Sequence, residues 1–97
     1  MCYSIEEIRK IAMPVAKKHG ISRMCLFGSY ARGEANDNSD IDLYVDKGEM
    51  NSLIKYMSFV YELEHNLKCH VDVVTTGIED RRFLQHIQKE GIVLYEE

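Results

Sequence analysis

The side chains best suited to chemistry in this sequence are Gly28-Ser29, the carboxylate pair Asp40 and Asp42, and, further on, Asp72. Asp40 and Asp42 alternate with Ile41, Leu43 and Val45. That is the period of a strand with one face in a core, so both acids point to one side and the aliphatic residues to the other. The same alternation between Cys69 and Thr75 turns Val71 and Val73 one way and Asp72 the other. If the two strands are neighbours with their apolar faces on helices, all three aspartates converge on the open face. Converging carboxylates repel one another, which raises their proton affinity and costs stability unless a cation lies between them. An all-oxygen ligand set suits a hard ion, Mg²⁺ or Mn²⁺. Upstream, Gly28-Ser29 at the end of an apolar run can bring backbone N–H groups and a hydroxyl against a phosphate, because glycine has no side chain to block the approach. Arg32 lies close enough in sequence to meet the same phosphates.

Each piece alone is weak. A lone Asp-x-Asp is commonly a solvated sheet face, and a lone Gly-Ser is commonly a turn. Their combination at this spacing is expected by chance in a chain of this length on the order of once in a thousand.

The elements that must position these residues are readable from periodicity. Ser4 and Glu7 have the spacing of a capping box, and Ile5, Ile8, Ala12 and Val15 recur at helical spacing until Gly20, which predicts a helix over about 5–19 with Pro14 inside it. Met24 to Phe27 reads as a strand, the polar stretch that follows as a loop, and Asp40 to Val45 as the next strand. A turn around Lys47 to Asn51 leads to a helix ending at Leu67, with Leu53, Tyr56, Met57, Val60, Leu63 and Leu67 as its core stripe and Ile54 and Tyr61 off it. After the strand at 69–75, Thr76 and Glu79 have the spacing of a second capping box before Phe83, Leu84 and Ile87. That helix ends at Gly91, and Ile92 to Tyr95 forms a last short strand. Strands separated by helices in one small unit imply an α/β (α+β) fold, a small mixed sheet with helices mainly on one face.

The totals narrow the function. With 97 residues and 45% hydrophobic side chains, the chain reads as one folded domain over 1–97, with no room for a second. A net charge of −4 argues against direct nucleic-acid binding by phosphate neutralisation. Three cysteines without a C-x-x-C pattern, and no basic segment leading into an apolar one, suggest a reduced, cytoplasmic protein. No apolar run reaches the roughly 20 residues of a membrane span. The four histidines have no zinc spacing with the cysteines, and Cys25 and Cys69 read as small buried hydrophobes.

The stretch GSYARGEANDNSDIDLYVD, Gly28 to Asp46, resembles the signature of the nucleotidyltransferase superfamily with a polymerase-β-like palm. It is most similar there to the minimal nucleotidyltransferase antitoxins encoded with HEPN-domain toxins. The resemblance implies that Gly28 and Ser29 hold nucleotide phosphates, that Asp40 and Asp42 ligate two Mg²⁺ ions, and that Asp72 completes the metal site. It also implies AMP transfer from ATP to a tyrosine of a partner HEPN ribonuclease toxin within a hetero-oligomer. Two other readings stay open: a non-catalytic antitoxin acting by occlusion, with Ile54 and Tyr61 in its interface, and a small-molecule nucleotidyltransferase.

Overall fold

In the computed structural model, which describes residues 3–46, 52–75 and 81–96, the chain runs α1 (Ile5–Lys18), β1 (Arg23–Phe27), α2 (Gly28–Arg32), β2 (Ile41–Asp46), α3 (Leu53–Leu67), β3 (Val71–Thr75), α4 (Arg81–Glu90) and β4 (Ile92–Glu96). The start of α1 is set by the reciprocal pair read from the sequence. Ser4 Oγ accepts from the Glu7 N–H at 3.1 Å, while the Ser4 N–H donates to Glu7 Oε1 at 2.9 Å. Pro14 does not end the helix. The backbone bond it removes would have used the Lys10 carbonyl, and both residues are on the exposed side, where water can serve that oxygen.

The four strands form one sheet in the order β3-β2-β1-β4. β1 pairs antiparallel with β2 and β4, whereas β2 pairs parallel with β3, so the sheet is mixed as expected. Alternation divides its faces. Met24 and Leu26 of β1, Ile41, Leu43 and Val45 of β2, and Val71 of β3 enter one core with Ile8, Ala12, Val15 and Ala16 of α1 and Phe59, Leu63 and Leu67 of α3. On the second face α4 packs beside β1 and α2. Ile87 and Cys25, both buried but outside that main core, mark the coverage there. Among the described residues, no helix packs on the β2–β3 side of this face, where the acids stand.

Two expectations need correction. Gly28–Arg32 forms a short helix, α2, which the sequence reading does not include; it takes in Arg32, the first residue of the loop expected over Arg32–Ser39, and is closed by Gly33 in the left-handed conformation at φ 73°, after which the loop runs as expected. On α3 the core stripe is rotated from the one expected. Phe59 is fully buried, while Leu53 and Met57 are 74% and 62% exposed. The cause is spacing: Phe59, Leu63 and Leu67 repeat every four residues and define the buried side, and Leu53 and Met57 fall with Ile54 and Tyr61 on another. The turn at Lys47–Asn51 and the Thr76–Glu79 capping box lie outside the described residues. Among the described residues no helix is long and apolar enough to cross a membrane.

Candidate active site

The parallel register of β2 and β3 sets Asp42 directly against Asp72, with Ile41 against Val71 and Leu43 against Val73 on the core side. Asp40, two residues before Asp42, belongs to the same face. One residue back on the neighbouring strand, the His70 carbonyl accepts from the Ile41 N–H at 3.2 Å, which ties the entrances of the two strands together. His70 therefore stands beside Asp40 as Asp72 stands beside Asp42. Ligand atoms of Asp40, His70 and Asp72 all lie within 4.8 Å of one another.

The electrostatics follow from this crowding. Burial is the main influence pushing the Asp42 carboxyl above the ordinary carboxylate range. Repulsion from Asp72 and Asp40 adds to it, as does a hydrogen bond with Asp72 that favours the protonated form, while Arg32 pulls the other way. Asp42 thus takes up protons readily, chiefly because it is buried and further because its neighbours are negative, and a cation at the same place would relieve that repulsion. His70 gains proton affinity as well, here toward its charged form. Its hydrogen bond to Asp72 Oδ1, at 2.8 Å from Nε2, is the largest influence raising its affinity for a proton, followed by the Asp72 charge. Nδ1 of the same ring faces Glu64 Oε2 of α3 at 3.0 Å.

Gly28 forms the other wall. It stands at φ 75°, in the left-handed region, where β1 turns into α2. A Cβ at this position would fall inside contact distance of Asp42 Oδ2 and 3.0 Å from Asp42 Cγ. The backbone at Gly28 is therefore packed directly on the carboxylate, and only glycine leaves room for it. Ser29 follows, half-buried, in the first turn of α2, where helical N–H groups lack partners within the helix. Arg32 ends α2, with Nε 3.2 Å from Glu34 Oε2 and Nη1 3.7 Å from Glu90 Oε2.

The fold thus gathers Asp40, Asp42 and Asp72 on one sheet face, with Gly28 against Asp42 and Arg32 near enough to influence its charge. Sequence reasoning passed over His70 because histidines were weighed only against cysteines. The available signal was its spacing of two from Asp72, which puts both on one face of the strand. A glycine turn with free helical N–H groups set against clustered acids is an arrangement that can take a phosphate and a cation together.

Comparison with known proteins agrees. Residues 6–97 match the family described as Polymerase beta, Nucleotidyltransferase. The chain belongs to this nucleotidyltransferase family. It is 46% identical over 72 residues, 74% of this chain and 77% of the other, to a Methanocaldococcus jannaschii protein named "Putative protein adenylyltransferase". It is 39% identical over 75 residues, 73% and 76% of the two chains, to the protein adenylyltransferase MntA of Thermococcus cleftensis. Among solved structures, one described as a "putative minimal nucleotidyltransferase" superposes with a TM-score of 0.78 at 32% identity, covering 93% of this chain and 95% of that one. The fold is also shared, with a TM-score of 0.71 at 19% identity over 96% and 73% of the chains, with a structure of a tri-AMPylated Shewanella oneidensis HEPN toxin in complex with an MNT antitoxin.

Proposed function

We propose that this nucleotidyltransferase is a Mg²⁺-dependent protein adenylyltransferase of the cytoplasm. It transfers AMP from ATP to a tyrosine of a partner HEPN ribonuclease toxin, with which it forms a hetero-oligomer. The observation that carries the reading is the Asp42–Asp72 register on the sheet face that also holds Asp40, with Gly28 packed against Asp42. Named relatives that are protein adenylyltransferases, and a structural neighbour in complex with an AMPylated HEPN toxin, support the acceptor.

The carboxylates of Asp40, Asp42 and Asp72 fit a divalent cation, since their mutual repulsion is what such an ion relieves. Two Mg²⁺ ions bound there would neutralise the triphosphate and stabilise the attacking and departing oxygens. The residues of the chain supply the remainder. Gly28 and Ser29 hold the phosphates against β2, and Arg32 offers a positive charge to them. The tyrosine oxygen forms a bond to the α-phosphorus as the bond from that phosphorus to the bridging oxygen of pyrophosphate breaks. Asp72, exposed on the edge strand β3 where Asp42 is half-buried, takes the phenolic proton.

The second reading, silencing by occlusion, has its own observation. Leu53, Ile54, Met57 and Tyr61 are 62–77% exposed along one side of α3, an apolar strip suited to a protein surface. Asp42→Ala separates the two. With purified chain, toxin, ATP and Mg²⁺, the enzymatic reading expects no adenylyl mass on the toxin and retained ribonuclease activity, although the complex still forms. Full neutralisation by the variant would establish occlusion instead.

A further inference from the structure

His70 is held more tightly than an exposed histidine needs to be. Glu64 Oε2 lies 3.0 Å from its Nδ1 and also accepts the Val71 N–H at 3.1 Å. The carboxylate is thus anchored by the backbone of β3 and in turn fixes the plane of the imidazole. Nδ1 donates its proton to this carboxylate, and Nε2 is the nitrogen presented to the acidic face, where it donates to Asp72 when no cation is bound and would give up that proton to bind one. That nitrogen is 2.8 Å from Asp72 Oδ1, and it lies with oxygens of Asp40 and Asp72 in a cluster no wider than 4.8 Å. Ligands at about 2.1 Å from one ion are separated by at most about 4.2 Å, so the cluster needs to tighten by only a few tenths of an ångström to close on one.

We propose that His70 Nε2 is a direct protein ligand of the cation at this site. The centre is then a mixed nitrogen–oxygen one that binds a first-row transition ion, such as Mn²⁺, in preference to Mg²⁺. The inference rests on reading the aspartate face as a metal site and adds a ligand to it. Three carboxylates alone make a hard, all-oxygen set that Mg²⁺ satisfies. An imidazole nitrogen favours transition ions, because their affinity for nitrogen exceeds that of Mg²⁺. The Glu64–His70 pair has the form of the carboxylate–histidine couple that orients a metal-binding ring and raises its basicity.

Mn²⁺ added to the full chain gives the test. Pulsed electron paramagnetic resonance on the bound ion is expected to show coupling to a directly ligated ¹⁴N, absent in both His70→Ala and His70→Gln. In each variant Mn²⁺ affinity falls by about 10-fold or more, while Mg²⁺ affinity, read by competition, moves much less. Glu64→Gln keeps the nitrogen coupling but weakens Mn²⁺ by roughly 10-fold. Mn²⁺ bound without nitrogen coupling in the unaltered chain, or coupling that persists in the His70 variants, overturns the inference while leaving the metal site in place. Absence of Mn²⁺ and Mg²⁺ binding, with and without ATP, overturns both the inference and the metal-dependent reading beneath it.

Discussion

Gly28→Ala concentrates the structural argument in a single methyl group, and Gly33→Ala is its internal control. Both glycines are left-handed, at φ 75° and 73°. Both substitutions therefore carry the backbone cost of an L-residue there, about 1–2 kcal/mol. At Gly33 nothing lies within 4 Å of the added carbon, so the cost stops at that. At Gly28 the new methyl meets Asp42, with Cγ at 3.0 Å and Cβ at 3.3 Å, and the carboxylate must swing away or the β1–α2 turn must retreat. Overpacking of this kind costs a further 1–3 kcal/mol or so. Gly33→Ala should lower the melting temperature by about 4–16 °C and Gly28→Ala by clearly more, at about 4–8 °C per kcal/mol for a domain of this size. The functional contrast is sharper. Displacing Asp42 by about an ångström should cost roughly 10²-fold or more in adenylyl transfer, against little change for Gly33→Ala once both are assayed below their melting points. Equal stability and equal activity in the two variants would refute the claim that Gly28 is reserved for the approach to Asp42.

Two further outcomes follow from the charges and the core. In the metal-free chain Asp42 binds a proton more tightly folded than unfolded, because its value is raised from 3.8, and His70 does likewise from 6.5. At these two groups the folded state holds more protons than the unfolded one, whereas Glu7 and Glu62, held below the ordinary carboxylate range by their hydrogen bonds, act the other way in acid. The contribution of Asp42 should fall as pH rises from about 3.8 through its elevated value, and that of His70 from about 6.5 through its own. Melting curves against pH in chelator should show each decline as the difference between the parent and Asp42→Asn or His70→Gln, and saturating divalent ion should flatten it; a difference that grows with pH through these windows would contradict the assignment. On α3, Phe59→Ala should destabilise by about 3–5 kcal/mol in urea unfolding, since the ring is fully buried. Leu53→Ala, at a site 74% exposed, should change stability by at most about 0.5 kcal/mol, and a reversed order would restore the stripe expected from sequence.

How far the sequence was legible depended on whether one signal or two competed at a residue. On β2 nothing competes with alternation, and its faces read off the sequence agree with the buried Ile41, Leu43 and Val45. The cap at Ser4 was equally local and is present as read. α3 carries apolar residues on more than half its circumference, so spacing alone allowed several stripes; the sheet and α1 selected the one through Phe59. α2 escaped notice because five residues hold too few turns to show a period, and only Gly33 marks its end. The neighbour relation of β2 and β3 is non-local: they are parallel and joined through α3, and their register depends on how that helix packs. His70 shares a strand face with Asp72 by spacing alone, but its place beside Asp40 exists only once that register is set.

The site is costly to the fold, and the arrangement shows where the cost is borne. Asp40, Asp42 and Asp72 repel one another on the open face, yet each strand that carries them buries its opposite side completely or nearly so, with Ile41, Leu43 and Val45 at 0% exposure and Val71 at 3%. A one-residue slip of β3 against β2 would separate Asp42 from Asp72 and relieve the repulsion. It would also turn the buried Val71 and the partly buried Val73 toward solvent, losing about 1.5–3 kcal/mol at the first and less at the second. The apolar face thus fixes the register that the acidic face resists. A ligand that neutralises the acids then binds without any rearrangement of the sheet, so its binding energy appears directly as added stability.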